Sequence, residues 1–134
     1  MKSPKVYLRD SGLFHALQGI QDLAQLLMHP KLGASWEGFA LEEVLRAFQP
    51  DHAWYYAVHA GSELDLFFLH RGRRIGVELK REDAPRVTKS MRVAWQDLRL
   101  DRLFVVHPGD RRYALDEGIE CVPLRGVGEL VASL

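Results

Sequence analysis

Glu63-Leu64-Asp65-Leu66-Phe67-Phe68-Leu69-His70-Arg71-Gly72-Arg73-Arg74-Ile75-Gly76-Val77-Glu78-Leu79-Lys80 decides the fold. Its period-two alternation predicts two strands, Glu63 to Leu69 and Ile75 to Lys80, joined by a short basic turn at Arg71-Gly72. In the first strand the period puts Glu63 and Asp65 on one face and Leu64, Leu66 and Phe68 on the other. In the second it groups Ile75, Val77 and Leu79 as the apolar set and Gly76, Glu78 and Lys80 as the opposite one. A two-residue turn closing on His70 and Arg73 sets Asp65 opposite Glu78 and Glu63 opposite Lys80. Three carboxylates and one ammonium then meet on one face of a hairpin. An odd-length loop would flip one strand and separate them.

Outward from the hairpin the pattern alternates between helix and strand. Val6-Tyr7-Leu8 reads as a short strand, and Asp10-Ser11-Gly12 as cap residues for a helix through Leu13, Phe14 and Leu17. Asp22 to Met28 reads as a second helix that stops before Pro30. Ser35 is the expected N-cap of the clearest helix, with Trp36, Ala40, Val44, Ala47 and Phe48 at spacings of three to four residues until Gln49-Pro50. Trp54 to Val58 is an expected strand ahead of the hairpin. Thr88 to Arg99 follows it as a helix, with Met91, Ala94, Trp95 and Leu98 on one face. Leu103 to Val106 and Ile119 to Leu124 are the remaining strands, and Val127 to Leu134 a terminal helix. Helix, three strands, helix, strand is the order of a three-layer α/β domain.

Composition narrows the class. The chain has 134 residues, 47% of them hydrophobic, with 18 Lys+Arg against 18 Asp+Glu and one cysteine. One domain with a real core is the default at this length, disorder is excluded as the main state, and a lone cysteine closes no internal disulfide. No apolar run reaches the roughly 18 residues that span a bilayer, and the N-terminus lacks the apolar stretch of a signal peptide. A cytoplasmic protein is the expectation, with no membrane partner. The neutral total hides zones: residues 1–70 carry a net −3, residues 71–112 a net +6, and residues 113–134 a net −3. A basic segment of this kind is either a phosphate-facing surface or a solvated face.

The acids admit two readings. Two carboxylates on adjacent strands suit a hard divalent cation such as Mg²⁺, and a neighbouring lysine can orient or deprotonate a water, which is the arrangement phosphodiester hydrolysis needs. The same side chains can instead form cross-strand ion pairs on a solvated sheet face. Glu37 adds weight to the first reading. At 100° per residue it falls inside the apolar arc of Trp36, Ala40, Leu41, Val44 and Phe48, whereas Glu42, Glu43 and Arg46 lie on the other side. A carboxylate in a buried stripe costs several kcal/mol, roughly, unless it is paired, protonated or bound to a metal.

Glu63-Leu64-Asp65-Leu66, the basic turn and Val77-Glu78-Leu79-Lys80 together resemble the PD-(D/E)XK nuclease-like superfamily. Within it the chain is most similar to a domain of unknown function at the C-terminus of many prokaryotic AAA-type ATPases. Lys5-Val6-Tyr7-Leu8-Arg9-Asp10-Ser11-Gly12-Leu13 resembles that module's entry motif, Gly33 to Leu45 its helix, and Ile119 to Leu124 its closing strand. The resemblance implies a restriction-endonuclease-like fold, a mixed central sheet flanked by helices with an αβββαβ core. It is expected as a single domain over 1–134, with an N-terminal helical extension at 1–32, a core at 33–124 and a C-terminal helix at 125–134. By the same resemblance Asp65 and Glu78 hold Mg²⁺ or Mn²⁺, Glu37 assists directly or through water, Lys80 positions the attacking water and Glu63 orients Lys80. Leu64 stands where the superfamily motif has proline. No Walker A pattern occurs, so the ATPase half is missing from this chain; it is a stand-alone or shortened relative, or one fragment of a longer protein.

Arg71, Arg73, Arg74 and Arg86, with Lys89 and Arg92 on the polar side of the second core helix, are the candidates to hold phosphates. The six histidines show no zinc-ligand spacing; Cys121, Trp36, Trp54 and Trp95 fall in apolar patterns and are expected in the core. The leading expectation is therefore a Mg²⁺-dependent phosphodiesterase acting on nucleic acid, DNA first. A non-catalytic DNA- or protein-binding accessory module, with an AAA-type ATPase in cis or in trans, is the alternative. A third is an oligomerisation domain that keeps its acids for stability.

Overall fold

The Arg71-Gly72 turn closes the hairpin in the expected register. Both residues take positive φ (50° and 77°), the backbone of a two-residue hairpin turn, and His70 pairs with Arg73. The computed structural model describes residues 5–134, so residues 1–4 of the expected N-terminal extension lie outside the described residues. Three helices come first: α1 (Ser11–Leu17), α2 (Leu23–Met28) and α3 (Leu32–Phe48). Strands β1 (Ala53–Ala57), β2 (Glu63–His70) and β3 (Arg73–Leu79) follow, then α4 (Lys89–Asp97) and β4 (Arg102–His107). The chain ends with β5 (Tyr113–Asp116), β6 (Ile119–Pro123) and α5 (Val127–Ser133). From α3 to β4 the order is αβββαβ. None of the described helices is long and apolar enough to cross a membrane.

Caps set several of these ends. The Asp10 carboxylate accepts the N–H groups of Gly12 and Leu13, that of Asp22 accepts Gln25 N–H, and the Thr88 hydroxyl accepts Met91 N–H. At the other end of α3, Gln49 turns left-handed ahead of Pro50.

The six strands form one mixed sheet in the order β1-β2-β3-β4-β6-β5. β3, β4 and β6 run parallel, and the other pairs are antiparallel. Ala40, Val44 and Phe48 of α3 and Val127 and Leu130 of α5 bury against Leu66, Phe68, Ile75, Val77, Leu79, Phe104 and Val106. Met91 and Ala94 of α4 cover the other face with Leu64, Leu100, Leu103, Val105 and Ile119. Helices thus lie on both faces of the sheet.

Several expectations need correction. Residues 5–8 form no strand: the segment lies over α3, where Tyr7 packs on Gly38, and finds no ladder partner. Helix α3 starts after Lys31, one turn before Ser35, whose hydroxyl is instead buried against His15 Nε2 at 2.6 Å. Glu42, expected on the open side of α3, is 8% exposed because the N-terminal segment covers that face. Trp54 lies on edge strand β1 and is 47% exposed, its ring beside Phe67. Leu64 packs on the α4 side while Leu66 and Phe68 pack on the α3 side. A β-bulge is the cause: between Trp54↔Phe67 and Tyr56↔Leu64, three steps of β2 oppose two of β1. Strand β5 was not expected at all; Glu117-Gly118 makes it a hairpin with β6.

Gly118 has φ 73°, and a Cβ there would run into the Trp95 ring. Left-handed strain and crowding together give an expected loss of about 2–3 kcal/mol for Gly118→Ala, read as a lowered urea midpoint. An unchanged midpoint would show that Trp95 does not hold the β5–β6 hairpin.

Candidate functional site: an acidic cleft at the parting of two strands

The β2–β3 ladder runs from His70↔Arg73 to Leu66↔Val77, and the bulge falls next to its end. Side chains take over there. Asp65 Oδ2 accepts Leu79 N–H at 2.8 Å, and Asp65 N–H points at Glu78 Oε2 at 3.4 Å. Asp65 and Glu78 are thereby joined across the parting strands. Lys80 Nζ lies 3.3 Å from Glu78 Oε1, and its own N–H donates to Val106 O, which anchors it beside β4.

The other two acids are held from further away. Glu37, half-buried on α3, accepts the Tyr7 hydroxyl at 2.9 Å. Glu63 accepts the Tyr55 hydroxyl at 2.7 Å and lies 3.6 Å from Lys5 Nζ, which is also 3.4 Å from Asp65 Oδ1. The pairing of Glu63 with Lys80 expected from the register gives way to Lys80 with Glu78 and Glu63 with Tyr55 and Lys5, because the strands part before that register is reached. Lys5, Tyr7 and Tyr55 were missed in the sequence. Their partners lie 60, 30 and 8 residues away; Lys5 and Tyr7 fall in the entry motif, but that motif gives no sign that they reach the acids.

Electrostatics follow this geometry. Glu78 is 6% exposed. Burial first and the Asp65 carboxylate second push its pKa up to about 7, against the pull of Lys80. Burial pulls the Lys5 ammonium down, but Asp65, Tyr7, Glu63 and Glu37 carry it above the usual lysine value. Burial and the bond to Glu63 raise the Tyr55 hydroxyl to about 12.

The arrangement offers two carboxylates from neighbouring strands, a partly exposed ammonium on one of them, and two further acids nearby. A hard cation that keeps several waters fits a two-carboxylate donor set of this kind. Among the described residues no three His, Cys, Asp or Glu side chains converge as a ready ligand set.

The candidate phosphate-holding residues divide. Arg71, Arg73 and Arg74 sit at the hairpin tip, about 17 Å along the strands from Asp65 and Glu78. The Arg74 guanidinium donates there to Leu98 O, and its backbone N–H donates to the Asp101 carboxylate. Lys89 opens α4, and Arg92 pairs with Asp116 at 3.0 Å. Arg86 lines a cleft of about 650 Å³ with Arg111, Arg112 and Tyr113. The loops carrying it follow Lys80 and His107, so they open at the same end of β3 and β4 as Glu78. Arg111 and Arg112 were missed, although Arg111-Arg112 is a visible dibasic pair after the expected fourth strand.

Residues 32–127 match the family model described as Domain of unknown function (DUF4143). The chain is 45% identical over 122 residues to the uncharacterized proteins Rv2008c of Mycobacterium tuberculosis and Mb2031c of Mycobacterium bovis. That similarity covers 91% of this chain and 28% of either relative, so the chain spans under a third of their length. No solved structure matches it significantly.

The raised Glu78 value makes stability depend on pH. Folding lifts this carboxyl from an ordinary 4.5 to about 7, so across that interval the folded state keeps a proton that the unfolded state has released. Stability is then full below about pH 4.5 and falls as pH rises through about 7. Glu78→Gln is expected to flatten this loss, gaining about 2 kcal/mol over the parent at pH 8 relative to pH 5. Urea denaturation across that range is the measurement, and an unchanged slope would place the proton elsewhere.

Proposed function

This chain belongs to the DUF4143 family, and we propose from its own residues that it is a Mg²⁺- or Mn²⁺-dependent phosphodiesterase domain with a restriction-endonuclease-like core, acting on nucleic acid and on DNA first. One observation carries the reading: Asp65 and Glu78 are joined where β2 and β3 part, with Lys80 on Glu78. The αβββαβ order from α3 to β4 supports the fold assignment. Asp65 and Glu78 would hold the metal, which supplies Lewis-acid charge at a phosphoryl oxygen when bound. Lys80, fixed through its backbone to Val106, orients a water or meets developing negative charge. Glu37 sits within reach of the same cluster through Tyr7. Glu63 holds Tyr55 and Lys5.

Arg86 and Arg111 are the better phosphate track, with Arg112 beside them held on Glu120, since they open at the carboxyl ends of parallel strands, where α/β sheets place their ligands. Lys89 and Arg92 extend that surface along α4, while Arg71, Arg73 and Arg74 would meet only a long duplex that runs past the far end of the sheet. We place the domain in the cytoplasm, where the free Cys121 thiol stays reduced.

A second reading is favoured by a specific observation. The acids already have partners within the chain, Lys5 on Asp65 and Glu63, Lys80 on Glu78 and the Tyr7 hydroxyl on Glu37, as they would in a non-catalytic module that binds nucleic acid or protein beside an AAA-type ATPase.

Labelled single-stranded, double-stranded and branched DNA incubated with Mn²⁺ separates the two. The expected result is cleavage that Lys80→Ala lowers about a hundredfold or more while the melting temperature holds, and that Asp65→Asn, which keeps an oxygen acceptor for Leu79 N–H, lowers likewise. If all three substrates stay intact, the accessory reading takes over. Salt-dependent DNA binding that weakens on losing Arg86 and Arg111, with the salt slope reduced by about one per arginine, would then identify its partner.

A further inference from the structure

The segment Lys5-Val6-Tyr7-Leu8-Arg9 places every second side chain on an acid. Lys5 reaches Asp65 and Glu63 of β2, Tyr7 reaches Glu37, and Arg9 Nε lies 3.2 and 3.3 Å from the two oxygens of Glu42. Val6, which alternates with them, is 86% exposed. Among the described residues, residues 5–9 make no backbone–backbone hydrogen bond, so side chains alone hold the segment down. Elements held by few buried contacts and no ladder open at lower free energy than the core does.

The position of Lys5 matters most. Its ammonium lies between two carboxylates, one of which is half of the Asp65–Glu78 pair. An ammonium and a hard divalent cation seek the same oxygens, and like charges at one site exclude each other. We propose that residues 5–9 are a strap whose Lys5 ammonium stands in the cation position of the acid site, so that a divalent cation binds there only as Lys5 withdraws and the strap lifts. This rests on the metal-site reading above. It also unites the two readings: strapped, the site is neutralised and silent; unstrapped, it is open to a metal.

The test uses the whole chain and reads metal binding rather than cleavage. Calorimetric titration with Mn²⁺ compares the parent with Lys5→Met, Lys5→Arg and Arg46→Gln, the last losing a charge on α3 away from the site. Lys5→Met is expected to tighten Mn²⁺ binding roughly three- to tenfold, with Lys5→Arg and Arg46→Gln close to the parent. In parallel, trypsin cleavage after Lys5 and Arg9 of the parent chain, followed by mass spectrometry, is expected to speed up several-fold when Mn²⁺ saturates the site. Equal Mn²⁺ affinity in the parent and Lys5→Met, or cleavage after Arg9 that saturating Mn²⁺ leaves unchanged, overturns the strap and leaves the metal site standing. An absence of Mn²⁺ binding in every variant overturns the metal-site reading and the strap with it.

Discussion

Where β2 bulges at Asp65, a carboxylate does the work of a peptide group. The ladder with β3 ends at Leu66↔Val77, and beyond it Leu79 N–H would face a strand that has turned away. Asp65 Oδ2 takes that donor at 2.8 Å, and Asp65 N–H turns to Glu78. A buried N–H without a partner costs about 1–3 kcal/mol, so the sheet can part here only while an acceptor stands at Asp65. Opening the sheet and presenting the acids are therefore one event. The bulge also sends Leu64 to the α4 layer while Leu66 stays with α3, so both layers of the core grip the same distorted stretch.

Bringing these acids together sets the remaining electrostatics. Glu78, nearly closed off from water and next to Asp65, responds by holding its proton toward neutral pH. The rest of the cluster recruits cations and donors: Lys80 from the adjoining strand end, Tyr55 from β1, and Lys5 and Tyr7 from the N-terminal segment. The same logic accounts for Arg9 on Glu42. With that face of α3 covered, an acid with only 8% exposure requires a partner, and the covering segment supplies it. Ser35, Gly38 and Glu42, at helical spacing, form the seat for that segment: a hydroxyl for His15, room for the Tyr7 ring and a carboxylate for Arg9.

What could be read from the sequence was local. The hairpin register needed only Arg71-Gly72 and the alternation on either side, and Asp10 announced its helix by capping chemistry within three residues. The bulge could not be read, because it is a mismatch between β1 and β2 rather than a property of either strand. Glu42 looked solvated because its cover, Arg9, is 33 residues away. Asp65, Glu78, Glu37, Glu63 and Lys80 could be listed as neighbours from hairpin geometry and resemblance. Their actual pairings could not, since these pass through Lys5, Tyr7 and Tyr55, which sequence distance hides.

Charge zoning along the chain also changes meaning once the strands are placed. The basic stretch from 71 to 112 looks like one surface, yet β3 and β4 traverse the sheet within it and divide its arginines between the two ends. Arg71, Arg73 and Arg74 fall at the hairpin tip; Arg86, Arg111 and Arg112 fall beyond the carboxyl ends of β3 and β4. Some already carry partners, Arg92 on Asp116 at the surface and Arg102, together with Arg112, on Glu120. Electrostatic attraction falls off within a Debye length, about 8 Å in physiological salt, so on the phosphodiesterase reading proposed above the arginines of the hairpin tip could not share one phosphate with Asp65 and Glu78. A hairpin tip about 17 Å away is a separate surface, whatever its charge. The end of the sheet at which a basic residue emerges, rather than its place in a basic run, decides whether it can serve the acidic cleft.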